Sequence, residues 1–150
     1  MINWRDTAEL NFKIIGNGWD TDLDHAKVSV IFNQGKKVSH LKAWAHGDLG
    51  GHIEVNRSKG QVVLTDNNVS GDVGIELHAI FPASVTPLNK NIRNEKHKQA
   101  VISQEIKLAK EANEKRKQQQ LFKTILAYAS LIIAVLSSGF FLSKLILAKP

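Results

Sequence analysis

The chain has 150 residues, no cysteine and a formal net charge of +6, which excludes disulfide staples, thiolate nucleophiles and thiolate metal sites. The excess charge is local: residues 1–90 carry 9 Lys and Arg against 10 Asp and Glu, residues 91–123 carry 9 against 4, and the rest 2 against none. Nucleic-acid binding would need a basic patch on the folded part. The basic segment reads instead as one that meets a membrane surface.

No apolar leader opens the chain, since MINWRDTAEL lacks the h-region of a signal peptide. From Glu9 the hydrophobic period is two. Leu10, Phe12 and Ile14 alternate with Asn11 and Lys13 until Gly16-Asn17-Gly18 ends the strand. A second run, Lys27–Phe32, puts Val28, Val30 and Phe32 on one face. A third, His40–Ala45, sets Leu41, Ala43 and Ala45 against His40, Lys42 and Trp44. Ile53 and Val55 mark a fourth strand, Gln61–Thr65 a fifth, and Val73–Phe81 a sixth that Pro82 stops. Short strands with frequent turns and no intervening helical period predict an antiparallel β-sandwich, immunoglobulin-like in class, over residues 1–87.

After Pro87 the pattern changes, and residues 89–120 contain neither Gly nor Pro. Val101, Ile102, Ile106, Leu108, Ala109 and Ala112 share an arc of about 160° at 3.6 residues per turn, predicting an amphipathic stalk helix over 88–120. Glu111 and Lys115 form a favourable i,i+4 pair on it. Thr124–Ser143 is then a run of 20 residues without a charge, ten of them Leu, Ile, Val or Phe. As a helix it spans roughly 30 Å, the thickness of a hydrocarbon core. Its ten large apolar residues favour insertion by about 3–6 kcal/mol in total. A transmembrane helix is predicted over 121–147, with Thr124, Leu131, Val135, Phe140 and Ser143 in the span and a tail at 148–150. Lys107, Lys110, Lys115, Arg116, Lys117 and Lys123 precede the span and are the predicted contacts to anionic lipid.

The chemistry-bearing residues are sparse. Asp20, Asp22 and Asp24 are spaced as in a calcium loop, but His25 stands where that loop needs Gly and Ile31 where it needs Glu, so a solvated acidic loop is the better reading. His40, His46 and His52 recur every six residues without a zinc-binding pattern. Asp48 beside His46 suggests acid–base chemistry but has no identifiable nucleophile or orienting partner. Gly16, Gly18, Gly47, Gly50 and Gly51 form no phosphate-binding loop and are expected in turns at positive φ. Trp4, Trp19 and Trp44 could stack on a glycan, although packing under the sandwich accounts for Trp19 and Trp44. Asn68-Val69-Ser70 is a glycosylation sequon. No cofactor and no catalytic residue is predicted.

Four strings taken in order, AELNFKIIGNGWD (Ala8–Asp20), AWAHGDLGGHIEV (Ala43–Val55), VGIELHAIFP (Val73–Pro82) and IKLAKEANEKRK (Ile106–Lys117), followed by an apolar span, resemble the predicted bacterial membrane proteins grouped as domain of unknown function 2207. The resemblance runs over about residues 8–143. It implies an extracytoplasmic β-sandwich on a single-pass anchor in the plasma membrane, with no established activity and no catalytic residues to carry over. It also implies that a signal peptide and the first part of the β domain would lie before Met1, leaving an incomplete sandwich with an unpaired edge. The charges point the other way: six basic residues precede the span and only Lys144 and Lys149 follow it, which alone would keep the β domain in the cytoplasm. The expected function is binding or scaffolding at the cell envelope. Expected partners are the bilayer and an envelope protein, or self-association through the stalk or an exposed sheet edge. The rival is a hydrolase or metal enzyme built on His46, Asp48 and His52.

Overall fold

The computed structural model describes residues 1–147. Eight strands precede one helix: β1 Ile2–Trp4, β2 Ala8–Ile15, β3 Leu23–Ile31, β4 Lys42–His46, β5 His52–Asn56, β6 Gln61–Val69, β7 Ile75–Phe81, β8 Ile92–Arg93 and α1 Lys98–Leu147. The six strands that alternation predicts are all present. Alternation does not predict β1 and β8, because strands of three and two residues are too short to display a period.

The strands form two sheets, in the orders β4-β7-β2-β1-β8 and β3-β6-β5. Every pairing is antiparallel except the parallel one between β1 and β8. The first sheet is therefore mixed, not wholly antiparallel as expected. Ala8, Leu77, Ala79 and Phe81 from the first sheet share one core with Ala26, Val62, Leu64 and Val69 from the second, and Phe32, Val38 and Leu41 between β3 and β4 complete it. Phe32 and Phe81 anchor it with ring centroids 4.9 Å apart.

Phe12 departs from its expected core position and lies 57% exposed. β1 pairs with β2 only at Ala8 and Glu9, so at Phe12 the strand has a neighbour on one side alone. The register then slips between Lys13 and Ile15. A slip of one residue breaks the strict alternation, and Ile14 and Ile15 both pack against the core.

β7 is buried on both faces. Leu77, Ala79 and Phe81 enter the shared core, while His78 and Ile80 lie on the opposite face and are buried too. The first turns of α1 cover that second face: Val101 and Glu105, one helical turn apart, are both buried, and Glu105 bonds to His78. The buried stripe of the helix therefore includes an acid, whereas Ile106, expected in the apolar stripe, is 62% exposed. Asp6, between β1 and β2, caps the helix from outside it. Its Oδ1 accepts hydrogen bonds from the amides of His97 (2.8 Å) and Lys98 (3.3 Å), two donors that the helix itself cannot satisfy.

Two compact units are present, Met1–Lys107 and the segment from Leu108 onward. The expected stalk (88–120) and span (121–147) are a single α-helix from Lys98, and residues 88–97 hold β8 and its connections. The predicted tail at 148–150 lies outside the described residues.

Candidate functional site

The second face of the first sheet brings four titratable side chains together. Strand alternation puts Glu9 of β2, His78 of β7 and Trp44 of β4 on the face away from the core, and α1 lowers Glu105 onto them. His78 Nδ1 lies 2.6 Å from Glu105 Oε1, and His78 Nε2 lies 2.9 Å from Glu9 Oε1. His46, two residues beyond Trp44, places Nε2 3.3 Å from Glu105 Oε1 and 3.2 Å from Oε2. Trp4 Nε1 donates to Glu9 Oε2 at 2.5 Å, and its ring stacks on His97 at 4.1 Å. Trp44 flanks His78 at 6.1 Å between ring centroids. Glu105 is only 1% exposed and His78 about as buried, while His46 remains one-third exposed. The cluster is closed on the sheet side and reachable past His46.

Hydrogen counting defines its chemistry. His78 faces a carboxylate oxygen at each ring nitrogen, and a neutral imidazole has only one N–H to donate. Without a further cation, satisfying both contacts requires an imidazolium or a protonated carboxyl. Glu105 has a second deficit: Oε2 is buried and receives no hydrogen bond of acceptable geometry from the described residues, although His46 stands 3.2 Å away. Buried carboxylate oxygens without a directed donor are costly and uncommon in folded proteins.

The residues singled out from sequence fall elsewhere, with one exception. His46 enters the cluster. Asp48 instead accepts the Gly50 amide at 2.9 Å within its own turn. His52 lies 3.7 Å from Glu54 with both side chains largely exposed. The hydrolase grouping of His46, Asp48 and His52 thus has three separate partner sets. His40 lines a small cleft with Asp6, Thr7, Phe81, Pro82 and Lys98. In the acidic loop, Asp22 Oδ1 accepts the Gly71 amide at 2.9 Å, a tether between two loops. Trp19 is 56% exposed, its Nε1 donating to the Gly16 carbonyl, and Trp44 sits on the helix-covered face; neither packs in the core between the sheets. Of the five glycines expected at positive φ, only Gly18 and Gly47 adopt it. Gly50 and Gly51 are small for another reason: an added Cβ would stand 3.3 and 3.1 Å from the carboxylate of Asp66. The predicted lipid-contact residues Lys107, Lys110, Lys115, Arg116, Lys117 and Lys123 are all exposed on α1. Thr124, Leu131, Val135 and Phe140 are exposed as well, and Ser143 falls within the same helix.

Glu9, His78 and Glu105 are the members that sequence reasoning did not single out. A signal for Glu105 exists: it sits four residues after Val101 and three before Leu108, inside the apolar arc. His78 sits in the most apolar strand, at a position where alternation predicts solvent. Neither signal says that the two meet.

Fold and site together define a β-domain protein carrying one helix long and apolar enough to cross a membrane. The model of the predicted membrane protein family DUF2207, N-terminal domain, matches residues 1–81. The chain belongs to that family of predicted membrane proteins. No curated protein and no solved structure matches it.

Proposed function

We propose that the chain is a single-pass membrane module: an immunoglobulin-like β-sandwich that binds or scaffolds a partner at the cell envelope and has no catalytic activity of its own. The observation that carries this reading is the apolar stretch of α1. None of its most apolar 18-residue window is buried, and Tyr128, Leu131, Val135 and Phe140 are each about two-thirds exposed. Each such side chain gains about 1.5–3 kcal/mol on leaving water, and a bilayer removes all of them at once. The polar side chains of the stretch suit that setting. Thr124, Ser130, Ser137 and Ser138 donate their hydroxyls to carbonyls three or four residues back, so none needs water. Lys144 Nζ lies 5.7 Å from the Phe140 ring centroid at the far end, suited to reach a headgroup layer.

Binding is supported by the sheet edges. β3 is nine residues long and, among the described residues, pairs only with β6, so one side of its backbone is available to an extended segment of a partner or a second copy. The six basic residues from Lys107 to Lys123 would each add about 1 kcal/mol when close to anionic headgroups. The β domain is taken to face outward, as the family likeness implies, against the bias of the flanking charges.

Topology labelling tests the anchor and its orientation together, and a cysteine-free chain makes it clean. One thiol is installed at Ser58, an exposed turn residue, and another at Ala148, which lies outside the described residues. Intact cells are then treated with a membrane-impermeant maleimide. Labelling of Ser58→Cys alone is expected. Labelling of Ala148→Cys alone reverses the orientation, and labelling of both removes the single span.

A further inference from the structure

The His46–His78–Glu105 cluster does more than link a helix to a sheet. We propose that it binds a divalent transition-metal cation, zinc by its donor set, through His46 Nε2, His78 Nδ1 and the Glu105 carboxylate. One ligand atom from each residue lies within 4.8 Å of the others. Two imidazoles and a carboxylate are zinc donors, whereas calcium and magnesium select oxygen ligands alone.

The surroundings prepare the donors. With the ring proton on Nε2, donated to Glu9 Oε1 at 2.9 Å, His78 presents a lone pair at Nδ1. Trp4 in turn fixes Glu9 through its other oxygen. A carboxylate behind a histidine is the usual device that sets the tautomer and aim of a metal ligand. In that tautomer the 2.6 Å approach of Nδ1 to Glu105 Oε1 holds no ring proton; a cation between them supplies the missing positive charge. It also satisfies the buried Glu105 Oε2, which receives no directed hydrogen bond from the described residues. Metal–ligand distances near 2.0–2.1 Å put tetrahedral ligand atoms roughly 3.3 Å apart. His46 Nε2 already stands 3.2 and 3.3 Å from the two Glu105 oxygens. The His78–Glu105 contact, 2.6 Å, opens by about 0.7 Å to reach the same spacing, and the ring nitrogens of His46 and His78, within 4.8 Å of each other, close toward it. His46 is one-third exposed, which provides the entry path and room for a water as a further ligand. The cation then joins β4, β7 and α1.

The test uses the full chain in detergent micelles, freed of any affinity tag, stripped with a chelator and dialysed. Zinc chloride is titrated in by calorimetry, and cobalt(II) is followed by its visible absorption. One zinc per chain is expected, with the absorption of four- or five-coordinate cobalt. His46→Ala, a change at a partly exposed position, is expected to weaken zinc at least tenfold and abolish the cobalt band. Glu9→Gln removes the positioning carboxylate and is expected to weaken zinc by about 10–100-fold. His52→Ala leaves both readouts unchanged. Saturating zinc raises the unfolding midpoint of the parent chain and not that of His46→Ala. Absence of stoichiometric zinc in the parent chain overturns the proposal whatever the variants do. So does zinc binding that survives His46→Ala intact or is lost in His52→Ala.

Discussion

Two buried acids sit in the same small domain, one on α1 against His78 and one on β6, and the protein treats them in contrary ways. Glu105, 1% exposed, is surrounded by groups that can carry positive charge: His78 at 2.6 Å and His46 at 3.2 Å. Asp66, 4% exposed on β6, occupies the position where the Val62–Leu64 alternation predicts an apolar core residue. None of the described residues places a cation beside it. Oδ1 receives no hydrogen bond from the described residues, and burial, with the like charge of Asp48, pushes its carboxyl above the ordinary 3.8. Burial alone therefore does not decide whether a charge helps a fold. The neighbours decide it.

Removing the charge from each acid at nearly constant shape breaks the comparison if the two respond alike. Glu105→Gln is expected to give the largest effect. The amide keeps the volume but cannot accept a proton-bearing nitrogen at both positions, and it leaves His78 and His46 facing a neutral group. Loss of one partner of a buried ionic cluster costs about 3–5 kcal/mol. The midpoint of the β domain, followed by tryptophan fluorescence in metal-free buffer with the full chain, should fall by well over 10 °C, since 1 kcal/mol moves a domain of this size by about 4–8 °C. A change under 1 kcal/mol would mean that the cluster contributes nothing net to stability in the absence of a cation.

Asp66→Asn is expected to move the other way, stabilising the domain by about 1 kcal/mol at neutral pH through relief of an unpaired buried charge. The sign follows from the raised pKa. The folded protein holds this proton to higher pH than the unfolded chain does, so the group lowers stability as pH rises from 3.8 through the shifted value, and the cost is present above it. The advantage of the variant should accordingly shrink on acidification and vanish below 3.8. Paired urea titrations of parent and variant at neutral pH and near pH 3.5 measure both. An advantage that persists unchanged at the lower pH would assign the effect to packing against Gly50 and Gly51 instead of charge.

Much of the β domain was legible because its central strands obey a period of two. The paired runs of β3, β6 and β7 announce themselves, and the uncharged run from Thr124 does the same for the candidate span. What was not legible depends on the third dimension. β1 and β8 have too few residues to show a pattern. Phe12 alternates correctly and is nonetheless exposed, because its neighbouring strand stops short. The site was hidden for a related reason. His78 and Glu105 are 27 residues apart and belong to elements with different periods, each looking like a single polar interruption in an apolar pattern. Asp48 and His52, close to His46 in sequence, turned out to have other partners. Gly50 and Gly51 looked like turn residues at positive φ, while their lack of a side chain makes room for Asp66 on the neighbouring strand.

The smallest effect sharpens the contrast with a third acid, one that is exposed and well provided with donors. Asp6 caps α1 from the β1–β2 connection. Desolvation raises its carboxyl, but the amides of His97 and Lys98, with help from Lys96, outweigh it and bring the group below 3.8. A depressed pKa means that the unfolded chain takes up this proton first. The contribution is present above 3.8 and is lost as pH falls through the folded value. Asp6→Ala is expected to cost about 1 kcal/mol at neutral pH, the usual worth of a helix cap, while Asp6→Asn, which keeps an accepting oxygen, should cost less. Hydrogen exchange locates the loss: the amides of His97 and Lys98 should lose protection before those of Leu77 and Ala79 in the core. Uniform loss of protection across the domain would instead mean that the cap and the sheets unfold as one unit, with Asp6 holding β1 and β2 as firmly as it holds the helix.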